Sequence, residues 1–350
     1  MTRFGARGFG LIDWVGAAFS SPLVSLALAV LAAGVFLVFV GARGRRRELV
    51  SLSEAAARSV RSRYMPERRI LGIAALAVIV VFAAENVIRG YLLNLVDVVS
   101  WWRFATPLAS SFLAIVVLAA LVLLRGSAAS ESPVVTGVRR SWTTFGPRVG
   151  LIVCGIVLVV LVGTTIAAGV ASVADDHGRY IWLEIPIPNE GAIDPIRLWF
   201  YGWAFGVPVL IALGALIAAT GAVLHLNAAR AFIRPDTVSS ERALRAEVAS
   251  GTVSIATAGM LLALAGAWRL IASAGSTWQL VIEGQNGGNP YEAVWRFAEL
   301  GAVAGWLAPA IEIVAFTLLF LVASELRRGT TEPSADAKSS ELVEAMESEQ

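Results

Sequence analysis

Lysine is nearly missing from this chain of 350 residues: of its 28 basic residues, Lys338 is the lone lysine and 27 are arginine. With the abundant alanine, that bias points to a GC-rich genome and a bacterial source. Cysteine occurs once, at Cys154, which excludes an internal disulfide framework and any metal site built on several thiolates. Its place in an apolar run marks a packed thiol, not a nucleophile. Charge is scarce at 15%, against roughly 25% in soluble domains. No HExxH, GxSxG, Walker lysine loop or paired-aspartate intramembrane protease signature is present. The expectation is therefore no metal, no cofactor, no nucleic-acid partner and, on balance, no enzyme.

What the chain has in excess is hydrocarbon. Hydrophobic residues make up 57%, and mean hydropathy is +0.72. The apolar residues fall in blocks of about 18 to 25, the length that crosses a hydrocarbon core of ~30 Å at 1.5 Å per residue. The blocks predict seven spans, at roughly 22–42, 70–88, 105–124, 149–171, 206–227, 251–272 and 302–324. The expected fold is an all-α polytopic integral membrane protein, a seven-transmembrane-helix bundle. Residues 1–21 form an outer N-terminal segment, 22–326 the helical domain, and 327–350 an acidic cytoplasmic tail without fixed structure.

Arginine sets the orientation. Nine arginines lie in 43–69, and only Arg3 and Arg7 precede the first span. With the N-terminus outside and the C-terminus cytoplasmic, alternation places 20 basic residues inside and eight outside. The expected location is the cell membrane of a bacterium. Tryptophan is one-sided too: Trp101, Trp102, Trp182, Trp199, Trp203, Trp268, Trp278, Trp295 and Trp306 fall at or beyond the outer interface. Its apolar ring and its N–H favour the headgroup layer.

Three outer connections carry the remaining mass on that side. NVIRGYLLNLVDVVSWWRF puts Ile88, Tyr91, Leu92, Leu95, Val99 and Trp102 on one stripe, the pattern of an interfacial amphipathic helix. SVADDHGRYIWLEIPIPNEGAIDPIR is acidic with three prolines, and predicts an extended loop. GQNGGNP predicts a flexible turn and YEAVWRFAEL a helix. The tetrapeptide WRFA occurs at 102–105 and again at 295–298, each time before an inward-going span.

The sharpest candidate is Glu312, a carboxylate near the middle of an apolar span. Gly301, Gly305, Ala308 and Glu312 share an i, i+4 stripe, so small residues permit close helix contact and turn the acid into the bundle. No basic residue is placed as deep, because Arg269 and His225 fall nearer opposite interfaces. Desolvation without a cation favours a neutral acid, so Glu312 is expected to be protonated or bonded to a hydroxyl of Thr164, Thr165 or Thr257. At the outer end of the second span, Glu85 and Arg89 have the i, i+4 spacing of an ion pair. Glu312, Glu85 and Arg89 are the candidate substrate or proton pathway. Arg103, Arg197, Arg269 and Arg296 stand among the outer tryptophans and could hold an anionic group. Asp175, Asp176 and His177 form the one compact acid–histidine cluster, but lack ligands from a second segment.

Three function classes fit this pattern, in order. The first is a transport or permease component for a small solute or a lipid-related substrate. The second is a non-catalytic scaffold that binds membrane or cytoplasmic proteins through 43–69 and the acidic tail. The third is an envelope enzyme acting on a lipid-linked substrate from outside. In all three, the lipid bilayer is a partner.

Overall fold

The computed structural model describes residues 21–44, 54–93, 95, 98–126, 145–188, 193–235, 237–277, 279–280 and 289–328. It is mostly helical, 75%. The α-helices are α1 (Pro22–Gly44), α2 (Glu54–Val87), α3 (Thr106–Gly126), α4 (Arg148–Ala171), α5 (Trp203–Ala229), α6 (Val238–Gly275) and α7 (Ala298–Arg328). Six of them, α2 to α7, are long and apolar enough to cross a membrane, which makes this a membrane protein. In α1 the apolar stretch Pro22–Val38 is shorter than in the other six.

α6 is the centre of the bundle. It packs against α2, α3, α4, α5 and α7, and 83% of its most apolar window is buried. A helix apolar on every face suits that position. The peripheral helices turn Val149, Val159, Val170 and Trp306 outward, where lipid would meet them. The small-residue stripe of α7 does face α6. A Cβ added to Gly305 would lie 2.9 Å from Ala272 Cβ, and one on Gly301 would lie 3.7 Å from Gly275 Cα.

Helix bounds differ from expectation at the arginine-rich end. α2 begins at Glu54 and α6 at Val238, so residues assigned to basic connections are continuous with the spans. With 34 and 38 residues they extend about 51 and 57 Å, well past the hydrocarbon. Their extra turns pack on each other and on the connection around Ile233 through the buried side chains of Val60, Tyr64, Glu241 and Arg245.

The opposite end carries strands, not the loops and helices expected there. β1 (Val173–Ala174), β2 (Tyr180–Ile185) and β3 (Ile196–Trp199) form an antiparallel sheet, with Trp182 opposite Trp199 and Glu184 opposite Arg197. Ile181, Leu183 and Ile185 point into the core. The alternation in YIWLEI is a period-of-two signal that the surrounding prolines obscured. β4 (Gln279–Leu280) pairs with β5 (Tyr291–Glu292), so YEAVWRFAEL begins as a strand and turns helical only at Ala298. Among the described residues of NVIRGYLLNLVDVVSWWRF there is likewise no separate amphipathic helix. α2 passes into a π-turn over Ile88–Leu92, and Trp101 to Ala105 form turns leading into α3. Tyr91, Asn94, Val96, Asp97, Trp278 and GQNGG fall wholly or in their side chains outside the described residues, as do 1–20 and the tail from 329.

Gly202 joins this sheet to α5, and its Cβ position collides with the Tyr180 carbonyl oxygen and lies 2.6 Å from Ser172 Cβ. Because one neighbour is backbone, Gly202→Ala is expected to destabilise by about 1–3 kcal/mol in detergent thermal unfolding. Gly214→Ala, on the same helix with open space around it, should be neutral or stabilising by up to about 1 kcal/mol.

Candidate functional site

At the sheet-bearing end, the helices leave a cavity of about 260 Å³. Phe82, Glu85, Asn86 and Arg89 enter it from the end of α2, and Arg103, Phe104 and Pro107 from the start of α3. Leu262, Gly266, Arg269 and Ser273 come from α6, Glu312 from α7 and Pro22 from α1. Five of the seven residues singled out in the sequence therefore meet in one place: Glu312, Glu85, Arg89, Arg103 and Arg269. Arg197 and Arg296 do not join them. Arg197 Nε donates to Glu184 Oε1 at 2.9 Å across the β2–β3 register. The Arg296 guanidinium sits 4.9 Å from the centre of the Phe297 ring.

Glu312 is buried, and its partner is a cation. Arg269 Nε donates to Oε1 and a terminal Arg269 nitrogen to Oε2, both at 2.7 Å, a two-pronged ion pair. Arg269 also reaches Ser25 Oγ of α1 at 3.4 Å. The expected hydroxyl bond is thus overturned. Trp268 Nε1 donates to Thr164, while Thr165 and Thr257 donate to carbonyls of their own helices. The cause is register. Gly275 faces Gly301 and Ala272 faces Gly305 in antiparallel helices, which brings Arg269 level with Ala308. From there Glu312 is one turn away, ~5.4 Å, within reach of a long side chain.

Glu85 and Arg89 do not form the expected ion pair. The π-turn at Ile88–Leu92 closes i to i+5 bonds, as in Leu93 N–H to Ile88 O at 2.9 Å, and so carries Arg89 out of the i, i+4 register. Arg89 instead donates to the carbonyls of Leu95 and Val98 at 3.2 and 3.0 Å, tying down the following loop. Glu85 Oε1 is buried with no partner among the described residues, while the Thr106 hydroxyl donates to Trp102 O at 3.1 Å. Arg103 is exposed overall and lies over the Phe104 ring at 5.1 Å. Protein packed about its guanidinium, then the like charge of Arg89, pull its pKa down to about 10, with Glu85 pulling the other way.

The acid–histidine cluster is a turn. Asp175 accepts from the backbone N–H groups of His177 and Arg179 at 3.0 and 2.7 Å, and from Arg179 Nε at 2.7 Å. Gly178 closes the turn at φ +75°. Desolvation alone would raise the Asp175 pKa, but the Arg179 side chain and these backbone donors hold it below the usual carboxylate range. Among the described residues no three His, Cys, Asp or Glu side chains gather as a metal site would require.

The arginine-rich end holds two features that the sequence did not disclose. One is a fully buried polar network. An Arg230 terminal nitrogen donates to Glu67 Oε1 at 2.6 Å and another to Val122 O at 3.2 Å. Arg245 Nε donates to Tyr64 Oη at 3.0 Å, and its terminal nitrogens to the carbonyls of Arg230 and Ala231, each at 2.9 Å. Tyr64 in turn donates to Glu241 at 3.1 Å. The one local signal was the i, i+4 spacing of Glu241 and Arg245. Their partners on α2 are more than 170 residues away in the chain. The other feature is a second cavity of about 260 Å³ between α2, α6 and α7, with Arg68 and Glu247 3.4 Å apart at its edge and Leu71, Ser254 and Val322 in its wall.

No protein-family model, curated protein or solved structure matches this chain.

Proposed function

We propose that the protein is a transport component of the cell membrane, of bacterial type, carrying a small solute or lipid-related substrate along the seam between α2, α6 and α7. In this reading α1 is a seventh crossing, the N-terminus and the sheets lie outside, and the arginine-rich ends and the tail lie in the cytoplasm, as the positive-inside rule favours. One observation carries it: two cavities of about equal volume lie at opposite ends of the same three helices. On α6 their nearest lining residues are Ser254 and Leu262, about 12 Å apart along the helix. Buried apolar side chains occupy the levels between them, among them Val78, Ile79, Phe316 and Leu319.

Phe82, in the floor of the outer cavity, meets Phe316 edge-on at 5.3 Å. The α6–α7 contact above it combines glycine and alanine, which interdigitate little, with the Arg269–Glu312 pair, which must break or re-form when one helix slides on the other. Such a shift would open one cavity as it closes the other. The scaffold alternative loses part of its docking segment, because 54–69 is the inner end of α2 with Arg63 and Glu67 buried.

Aqueous access tests this without knowledge of the substrate. In a Cys154→Ser background, Ser273→Cys places a thiol at the outer cavity and Ser254→Cys one at the inner. A membrane-impermeant maleimide should label the first from outside intact cells and the second in inside-out vesicles. Labelling of neither position removes the transport reading, and labelling from the opposite sides inverts the proposed orientation.

A further inference from the structure

We propose that the outer cavity binds a phosphoethanolamine unit, its ammonium on Glu85 and its phosphate on Arg103 and Arg89. This rests on the reading of that cavity as the transport site.

The cavity holds three guanidinium groups and two carboxylates, but they are not equally available. Arg269 and Glu312 satisfy each other through two bonds of 2.7 Å. Glu85 keeps one buried oxygen without a partner, and Arg103 makes no ion pair among the described residues. An acid and a base that line one small space are thus held apart without neutralising each other. A carboxylate oxygen buried without a partner is unfavourable, and the exposed Arg103 on the same cavity has no paired counter-charge among the described residues, so the two poles together lack what a zwitterion carries. A simple anion would meet the bare Glu85 oxygen; a simple cation would meet Arg103 and Arg89. A ligand with both charges, oriented one way, satisfies both.

The balance of groups narrows the chemistry. One more cation than anion lines the cavity, which favours a ligand whose anionic end is the stronger. Two arginines at that end favour phosphate, because guanidinium forks match its several oxygens. Arg89 spends one terminal nitrogen on the Leu95 and Val98 carbonyls, which leaves its other N–H groups for a ligand. The Glu85 oxygen needs an N–H donor, and a primary ammonium has three whereas trimethylammonium has none. The lining has two phenylalanines and no tryptophan or tyrosine, a poor cage for a quaternary amine. A cavity of about 260 Å³ is enough for a headgroup of this size.

Phosphoethanolamine reaches a membrane protein from two sources, free in solution or as the headgroup of a lipid. Titration calorimetry on the detergent-purified full chain compares O-phosphoethanolamine, phosphocholine and inorganic phosphate. O-Phosphoethanolamine should bind at least tenfold more tightly than either of the others. Glu85→Gln should abolish that preference and keep phosphate binding, whereas Arg103→Gln should weaken all three ligands at least tenfold. Repeating the titration in phosphatidylcholine nanodiscs with and without phosphatidylethanolamine distinguishes the sources. Competition by the lipid identifies a headgroup site, and its absence a soluble ligand. Equal affinity for phosphocholine and O-phosphoethanolamine in the unaltered protein, a comparison that no folding defect can mimic, would overturn the assignment. So would an unchanged preference in Glu85→Gln. Thiol access at both cavities without this binding removes the ligand alone; binding without access removes transport and leaves the ligand in place.

Discussion

Arg245→Met is expected to destabilise the protein by about 3–5 kcal/mol, one of the two largest effects of any single substitution proposed. Methionine keeps the apolar stem but abandons Tyr64 Oη, two carbonyls and the contact with Glu241 at 3.4 Å, all in a site with no exposed surface. Glu241 keeps Thr237 Oγ1 and the Ile233 N–H, each at 2.8 Å, but loses its cation. The guanidinium also stacks 4.3 Å from the centre of the Phe232 ring, so Arg245→Lys should recover less than half of the loss, an ammonium having neither the planar face nor the fork. Reversible unfolding in mixed micelles measures both variants. A loss below about 1 kcal/mol for Arg245→Met would place the network in the class of solvated surface pairs, and its role in holding α2 to α6 would be abandoned.

Breaking the pair in the outer cavity should have an effect of the same order. Arg269→Met leaves the buried Glu312 without its cation, and the expected loss is about 3–5 kcal/mol. The double variant Arg269→Met, Glu312→Leu removes both charges, and should be less destabilised than Arg269→Met alone. A coupling energy of about 2 kcal/mol or more in the double-mutant cycle is expected, toward the upper end for contacting residues. Polar interhelical contacts in membranes average only about 0.6 kcal/mol. A coupling of that size would therefore describe an ordinary hydrogen bond, and a bidentate ion pair would be ruled out.

Glu312 illustrates how far local pattern carries. Its direction follows from the small residues one, two and three turns before it, because only a face that touches another helix tolerates Gly301, Gly305 and Ala308 together. Its partner does not follow. Depth estimated from each helix end separately kept Arg269 out of reach, while the antiparallel register of α6 on α7 brings it within one turn. Glu85 fails in the opposite sense: the i, i+4 rule assumes a regular helix, and a π-turn begins one residue before Arg89. YIWLEI carried its alternation openly, but prolines and acids on either side drew the reading toward a loop. The WRFA repeat does have a common local geometry, with Arg103 and Arg296 each set over the next phenylalanine at 5.1 and 4.9 Å. Only the first copy lines the cavity, because only Phe104 is buried against α5 and α6.

Solubility properties are additive along a chain, so the unaided sequence determined that this is a membrane protein, where its apolar helices lie and which face of α7 turns inward. Partner choice is not additive. The pairs Arg269–Glu312 and Arg230–Glu67 join residues 43 and 163 positions apart, and their existence depends on helix register, overhang and the close approach that glycine allows. Those are properties of the packed bundle, and only the tertiary structure decided them.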